Sequence, residues 1–331
     1  GTGKPEDAVT LLEGIRRALP NARVLHTRGA PVDTADTSGF GEAERMAREA
    51  DAVLLVLGER EDMSGEAASR TSVELPGSQL ALAQTVVRAA RASNPDKPVA
   101  ALLMNGRPLA VPWLADSVPA VLETWFLGVE HGHAVADVVF GDHNPSGRLP
   151  VTLPRVTGQV PVYYAAKPTG RPPVASEKYT SKYLDVHWTP QWPFGHGLGY
   201  TTFGYSDLRL SADNIRTGDS LAVTVSVRNS GPRPGAEVVQ LYLRDDVASV
   251  TRPMRSLKGF ARISLRPGEA RDVRLTVRPE HLALYDLGMR RVVEPGGFTV
   301  FVGGSSEGGL EARFRVVGDT LVLAPPPPRL R

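Results

Sequence analysis

A glutamate, Glu66, lies in a loop that directly follows an apolar run of the kind that forms a buried β-strand. The apolar run covers residues 52–57, and residues 63–71 of the loop read Met-Ser-Gly-Glu-Ala-Ala-Ser-Arg-Thr. Open α/β sheets hold their reactive groups at the carboxyl ends of strands, where such loops leave the sheet. A carboxyl group at this place can donate or accept a proton, so Glu66 is the first candidate for acid/base chemistry.

Two nearby residues compete with Glu66 or support it. Glu59 stands at the end of the predicted strand and is the rival acid. Arg70 can either orient Glu66 or another loop carboxylate, or form an ion pair that only holds the loop. The loop over residues 58–75 is longer than most strand-to-helix connections, and loops of that length are usually functional or disordered. The simplest alternative to a catalytic loop is an ordinary solvated acidic loop.

The segments around this loop alternate between helical and strand patterns. Apolar residues at helical spacing predict helices over 6–19, 42–50, 77–92 and 133–140. Apolar runs predict strands over 52–57, 99–104 and 120–124, with another strand beginning at residues 24–26. Alternation of this kind predicts an α/β fold, a mostly parallel sheet with helices on both faces in a three-layer sandwich.

After Tyr205 the apolar residues recur with a period of two, which is typical of strands with one buried face. Turn-forming Gly and Pro clusters separate about seven such runs, which predicts an all-β immunoglobulin-like or fibronectin-III-like sandwich. Between the two regions, Pro, Tyr, Trp and Gly crowd together as in an irregular connector. The predicted domains are an α/β sandwich over 1–160, a connector over 161–202, a β-sandwich over 203–318 and a Pro-rich tail over 319–331.

Composition excludes several classes of function. With 38 Lys and Arg, 36 Asp and Glu and a net charge of +2, the chain shows no basic face for nucleic acid and no cationic amphipathic segment for a membrane surface. No apolar run approaches the ~20 residues of a membrane span. The chain has no cysteine, which excludes a thiolate metal site or a Cys nucleophile. The sequence predicts no cofactor and no metal.

Several segments resemble glycoside hydrolase family three, close to its bacterial periplasmic β-glucosidases. The matching segments follow one another in the order and spacing of that family and extend over nearly the whole chain. They are residues 57–59, 63–71, 75–79, 103–109, 123–126, 141–150, 159–164 and 193–198.

The resemblance implies a retaining exo-acting β-glycosidase of the β-glucosidase type, in the EC 3.2.1 class, with Glu66 as the general acid/base. In this family a barrel domain with an Asp nucleophile precedes the α/β sandwich, and a fibronectin-III-like domain follows it. The chain carries no Ser-Asp-Trp nucleophile motif. We therefore expect the chain to correspond to the C-terminal half, with the first part of the sandwich and the barrel missing, and to be inactive without that barrel.

The resemblance also implies the partners of the chain and the place where it works. The partners are a β-linked glucoside or oligosaccharide and the barrel domain, supplied in cis or in trans, and the family suggests a periplasmic or secreted location. β-Glucosidase and β-xylosidase remain alternatives, because much of the sugar pocket belongs to the barrel. A non-catalytic carbohydrate-associated or structural fragment is the other class of function.

Overall fold

The computed structural model describes residues 4–324, which form two compact units. The first unit comprises the described residues up to His143 together with Leu153–Pro161, and the second comprises Asn144–Thr152 and the described residues from Val162 onward. Within the described residues, no helix combines the length and the apolar character needed to cross a membrane. The domain boundaries predicted at residues 160, 202 and 318 stay predictions, and residues 325–331 of the predicted Pro-rich tail lie outside the described residues.

The first unit is an α/β structure. Its helices are α1 Leu11–Ala18, α2 Phe40–Glu49, α3 Gln79–Ser93, α4 Pro112–Ser117 and α5 His131–Phe140. Its strands are β1 Val53–Gly58, β2 Val99–Met104 and β3 Ala120–Glu123, and short 3-10 turns cover Pro5–Asp7, Glu61–Met63 and Thr157–Gln159.

The three strands form one parallel sheet in the order β1-β2-β3, which confirms the predicted α/β class. On one face, Leu102 of the central strand packs in a cluster with Leu11 of α1 and Val135 of α5. Residues of α2 and α3, among them Ala47, Ala83, Val86 and Ala90, are also buried. The uninterrupted apolar sequence of β2 fits its place in the middle of the sheet.

Two local predictions are wrong. Residues 24–26 are not in a strand, because a strand needs a hydrogen-bonded neighbour and no described residue pairs with them. The helix expected from residue 6 begins only at Leu11, because Thr10 and Glu13 form a capping box that places the helix start there. The Thr10 main-chain N–H donates to the Glu13 carboxylate at 2.8 Å.

The second unit confirms the predicted β-sandwich. A three-stranded sheet has the order β4-β6-β9, a five-stranded sheet has the order β5-β13-β12-β7-β8, and a small third sheet has the order β10-β11-β14. The strands are β4 Phe203–Leu210, β5 Asn214–Arg216, β6 Leu221–Asn229, β7 Gly235–Asp245, β8 Ser256–Leu265, β9 Ala270–Val277, β10 Leu284–Tyr285, β11 Arg291–Val293, β12 Gly296–Gly303, β13 Leu310–Val317 and β14 Leu321–Val322, with a short helix α6 at Pro279–Leu282.

The core of the second unit consists of the alternate residues that the period of two predicted to point inward. Val223, Val225 and Val227 of β6 are buried against residues of the other sheet such as Leu241 and Val300. Residues 162–202 contain no helix or strand. This irregular segment contributes Tyr164 and Phe194, whose rings stack with centroids 4.3 Å apart.

Candidate active site

The carboxyl ends of the three parallel strands bring together three segments that are far apart in sequence. Glu59 follows β1, Asn105 and Arg107 follow β2, and Glu123 is the last residue of β3. The register aligns Gly58 with Met104 and Leu103 with Glu123, so the three strands end at nearly the same level. This edge therefore collects the polar groups from which a site can be built.

Glu59 is a buried carboxylate held by two arginines. Its side chain has no exposed surface, and it forms ion pairs with the guanidinium groups of Arg70 and Arg107. Arg107 Nε lies 3.0 Å from Oε1 and 3.1 Å from Oε2 of Glu59. Both carboxylate oxygens of Glu59 contact guanidinium groups. Glu59 therefore holds the two arginines in place and has no free oxygen to offer a substrate.

The two arginines connect Glu59 to the main chain of the loop. Arg107 donates to the carbonyl oxygens of Met63 and Ala68, the latter at 2.8 Å, and Arg70 donates to the carbonyl of Glu74 at 3.1 Å. The loop is thus tied to the sheet on both sides of residues 64–67. Of the roles expected for Arg70, the structure shows the ion pair, which Arg70 forms with Glu59.

Glu66 lies at the exposed turn that this network supports. Gly65 and Ala67 on either side have positive φ angles of 107° and 59°, so the backbone turns sharply and presents the side chain between them. Among the described residues, none forms a hydrogen bond or ion pair with the Glu66 carboxylate. The loop therefore offers one unoccupied carboxylate on a fixed support.

Close packing beneath the turn requires a glycine at position 106. A Cβ atom on Gly106 would lie 2.1 Å from Ser64 Oγ and 2.8 Å from the Phe126 ring. A side chain at position 106 would force Ser64 and Phe126 to move, so the glycine lets the loop after β1 lie close against the ends of β2 and β3. Gly106 belongs to one of the segments that carry the family resemblance, and its packing gives a physical reason for the glycine.

Glu123 is a titratable group of this edge that sequence reasoning did not single out. It accepts hydrogen bonds from the Trp125 main-chain N–H at 3.0 Å and from Asn105 Nδ2 at 3.4 Å. Burial outweighs these bonds and raises the pKa of the Glu123 carboxyl to about 7. The available signal was its position: like Glu59, it stands at the end of a predicted strand.

Because its pKa is raised, we expect Glu123 to make the first unit less stable as the pH increases. Between its ordinary pKa of 4.5 and about 7, the unfolded chain has released a proton that the folded chain keeps. The contribution of Glu123 to the free energy of unfolding is therefore complete below about pH 4.5. It falls by up to about 3 kcal/mol by pH 7. The side chain of the Glu123→Gln variant stays neutral throughout, so its unfolding free energy should not show this decline.

Urea unfolding at pH 5 and pH 8 measures the effect. The difference in unfolding free energy between Glu123→Gln and the unchanged chain should shift in favour of the variant at pH 8. Glu61→Gln is the matched control, because Glu61 is an exposed carboxylate of the same edge. Equal differences at both pH values would show that Glu123 ionises normally in the folded chain.

Two family models match the chain. Residues 1–200 match the model described as the glycosyl hydrolase family 3 C-terminal domain, and residues 237–306 match a fibronectin type III-like domain. The first match covers the α/β part with its loop and the irregular segment up to residue 200, and the second falls on the β-sandwich.

Curated relatives and solved structures agree with these models. The chain is 41% identical over 324 residues to a periplasmic β-glucosidase of Salmonella typhimurium and 39% identical over 307 residues to a β-xylosidase of Formosa agariphila. The match covers 91% and 92% of this chain but only 42% and 41% of those relatives. The chain thus spans less than half the length of the curated relatives it matches.

A solved β-glucosidase of Listeria innocua in complex with glucose superimposes with a TM-score of 0.88 and 36% identity. The similarity covers 96% of this chain and 43% of the Listeria chain. A mutant of the Listeria enzyme has been solved in complex with laminaribiose, with a TM-score of 0.87 to this chain.

Proposed function

The chain belongs to glycosyl hydrolase family 3, and on that premise we propose that it supplies the general acid/base of a retaining exo-acting β-glycosidase, with Glu66 as the reacting group. The observation that carries the proposal is the contrast between the two loop glutamates. Glu59 is buried with both oxygens bound to arginines, whereas the Glu66 carboxylate has no partner among the described residues.

The proposed chemistry uses Glu66 twice. In the first step a carboxylate nucleophile attacks the anomeric carbon, the glycosidic bond breaks, and the Glu66 carboxylic acid gives its proton to the departing oxygen. In the second step the Glu66 carboxylate takes a proton from water, whose oxygen attacks the anomeric carbon and releases the nucleophile. The proton lost by Glu66 in the first step is regained in the second, so the enzyme returns to its starting state.

The nucleophile must come from outside these residues in this proposal. Retaining enzymes keep their two carboxyl groups about 5 Å apart, and the family resemblance assigns the second group to the barrel domain. Glu66 is exposed in this chain. A barrel seated over the loop would remove water from its carboxyl and bring a second negative charge close, and both changes favour the protonated acid that the first step needs.

Terminal β-linked glucose is the proposed glycone. Relatives of this chain are named β-glucosidases and a β-xylosidase, and the Listeria enzyme has been solved with glucose and with laminaribiose. The fixed turn around Glu66 would serve any β-glycoside whose leaving oxygen reaches it. The finer choice between glucose and xylose is assigned to the barrel in this proposal.

Activity of the chain alone and with a barrel tests the proposal. We expect negligible hydrolysis of an aryl β-glucoside by this polypeptide, because a double displacement needs a nucleophile opposite Glu66. Adding the N-terminal part of the Salmonella relative, which this chain does not cover, or fusing it to this chain should produce turnover.

The preparation of the chain alone is checked by mass spectrometry for any barrel fragment. Hydrolysis by a clean preparation would contradict the proposed division of the active site. A fused protein that folds with both parts intact and binds glucose but never turns over would favour the non-catalytic, carbohydrate-associated alternative.

A further inference from the structure

A small cavity lies at one end of the hydrophobic core of the second unit. Leu243 of β7, Leu282 of α6 and Phe298 of β12 border it on the apolar side, and all three belong to the buried core. Its volume is about 10 Å³, which is enough for one particle of about the size of a water molecule. A sugar or a polyatomic ion does not fit into such a space.

The other side of the cavity is polar and mostly basic. Three elements supply it: the end of β7, strand β8 with the segment that leads into it, and helix α6. The polar residues are Asp245, Arg252, Ser256, Lys258 and His281. One carboxyl group therefore shares this cavity with three basic side chains.

Arg252 brings to the cavity a buried donor atom that has no partner. Its Nε is buried and makes no hydrogen bond with any described residue, whereas one of its terminal nitrogens donates to the Ala283 carbonyl at 3.3 Å. A buried N–H without an acceptor costs free energy, because the group has lost its hydrogen bond to water. The Nε–H of Arg252 therefore requires an acceptor at this place.

Lys258 adds a second cation without a counter-ion. Among the described residues, none forms an ion pair or a hydrogen bond with its ammonium group. Burial and the like charge of Arg252 lower the pKa of the Lys258 ammonium. The pKa of His281 is lowered as well, by burial and by the charge of Lys258. The basic groups of the cavity thus repel one another as cations.

Asp245 does not neutralise these cations. Burial raises the pKa of its carboxyl to about 6, two neighbouring carboxylates raise it further, and Arg252 opposes the shift from a distance, without an ion pair. At pH 7 the positive charges of Arg252 and Lys258 therefore face one negative charge, and His281 is neutral. A surplus of one positive charge remains at the edge of an apolar core, and buried charges are normally paired.

We propose that this cavity, which we name the anion pocket, binds one chloride ion between the Arg252 Nε and the Lys258 ammonium group, with the Ser256 hydroxyl as a further donor. A chloride accepts hydrogen bonds from several donors at once and also removes the surplus charge. A water molecule can accept the hydrogen bonds but leaves the charge in place.

The ion would connect separate parts of the second unit. Arg252 already donates to Ala283, directly after α6, and Lys258 belongs to β8. A wider surface cleft of about 690 Å³ shares Asp245, Arg252 and Pro253 with the anion pocket, so a small ion can enter from solvent. Since a ligand that binds only the folded chain stabilises it, we expect chloride to stabilise the second unit.

Bromide provides a direct structural test, because it binds where chloride binds and scatters X-rays anomalously. Crystals of the full chain, grown without halide and soaked in sodium bromide, should show an anomalous peak within hydrogen-bond distance of Arg252 Nε and Lys258 Nζ. The proposal is wrong if no peak appears there. A peak without any saturable effect of chloride in solution would show an adventitious ion only, and would overturn the proposal too.

Chloride titration of the full chain measures binding in solution. Gluconate, which is too large for the anion pocket, replaces chloride so that the ionic strength stays constant. Hydrogen exchange at the amides of residues 252–258 and 281–283 should slow as chloride is added and then reach a plateau. Sulfate is also too large and should not reproduce this local effect. An equal effect of sulfate would mean general stabilisation by salt and would contradict the proposal.

Lys258→Met removes one of the two cations and keeps an unbranched side chain. The variant should fold, because burial already disfavours a cation at this place. Chloride should bind at least about tenfold more weakly, since a hydrogen bond to a charged group is lost. Lys178→Met is the matched control, because Lys178 is exposed and does not line the pocket. Equal chloride responses of the two variants would overturn the proposal.

Asp245→Asn separates chloride from a bridging water molecule. The carboxylate repels a chloride, so its replacement by a neutral amide should strengthen chloride binding and move the plateau to lower concentration. A water molecule would instead lose the acceptor that joins it to Arg252, and chloride binding that is unchanged or weaker in this variant would rule out the ion. None of these measurements uses glycosidase activity, so the proposed function and this inference can fail separately.

Discussion

Replacing Glu66 by alanine in the chain combined with a barrel domain should slow hydrolysis of glucosides with poor leaving groups by ~10²–10⁴-fold, the usual contribution of general acid catalysis. Dinitrophenyl glucosides should still form the glycosyl-enzyme at nearly the normal rate, because dinitrophenolate departs without a proton. Their turnover should stall at the second step, where no base remains to activate water. Pre-steady-state release of dinitrophenolate followed by a slow phase is the expected signature.

Azide should rescue the Glu66→Ala variant. Azide attacks the glycosyl-enzyme without giving up a proton, so it needs no base, and the product should be the β-configured glycosyl azide. Glu61→Ala is the control, because Glu61 is also an exposed glutamate of the loop; that variant should keep full activity and show no response to azide. Failure of azide to accelerate either Glu66→Ala or Glu59→Ala would mean that the acid/base lies outside this chain.

Replacing Glu59 should damage the fold of the loop. In Glu59→Gln the guanidinium groups of Arg70 and Arg107 keep their partly buried places but lose the carboxylate between them. Breaking a buried ion pair by removing one partner costs about 3–5 kcal/mol, because the remaining charges stay uncompensated. We expect the first unit to lose about that much stability and the loop to lose its connection to the sheet.

Urea unfolding, monitored by a spectroscopic signal that reports on the first unit, measures this loss of stability. Glu61→Gln is again the control. In the reconstituted enzyme Glu59→Gln should lower activity on all substrates alike, and azide should not restore it. The two glutamates are thereby separated: one variant is stable and rescued by azide, the other is unstable and not rescued. If the patterns are exchanged, the acid/base is Glu59.

Much of the architecture follows from local patterns in the sequence. The period of two in the second half and the alternation of apolar runs and helical stripes in the first predicted the two kinds of fold. These patterns are readable because side-chain direction repeats every 2 residues in a strand and every 3.6 in a helix. The helix start at Leu11 was missed, although Thr10 and Glu13 carry the capping-box signature three residues apart.

The chain by itself also determined the family and the loop that carries Glu66. Motifs are continuous stretches, so the order and spacing of residues 63–71, 103–109 and 123–126 can be recognised without a structure. Their alignment with the family models agrees with that recognition. The role of Glu66 itself stays a prediction.

Only the tertiary structure decided which residues hold the Glu66 loop against the sheet and which predicted strand lacks a partner. Glu59 meets Arg107 across 48 positions of sequence, and the pKa of Glu123 is raised by burial among groups that sheet pairing brings to it. The apolar run at residues 24–26 looked like a strand, but pairing depends on a neighbour that local sequence does not specify. Contacts between distant segments and the loss of water around a carboxyl are properties of the folded chain, because both depend on how the strands and loops pack together.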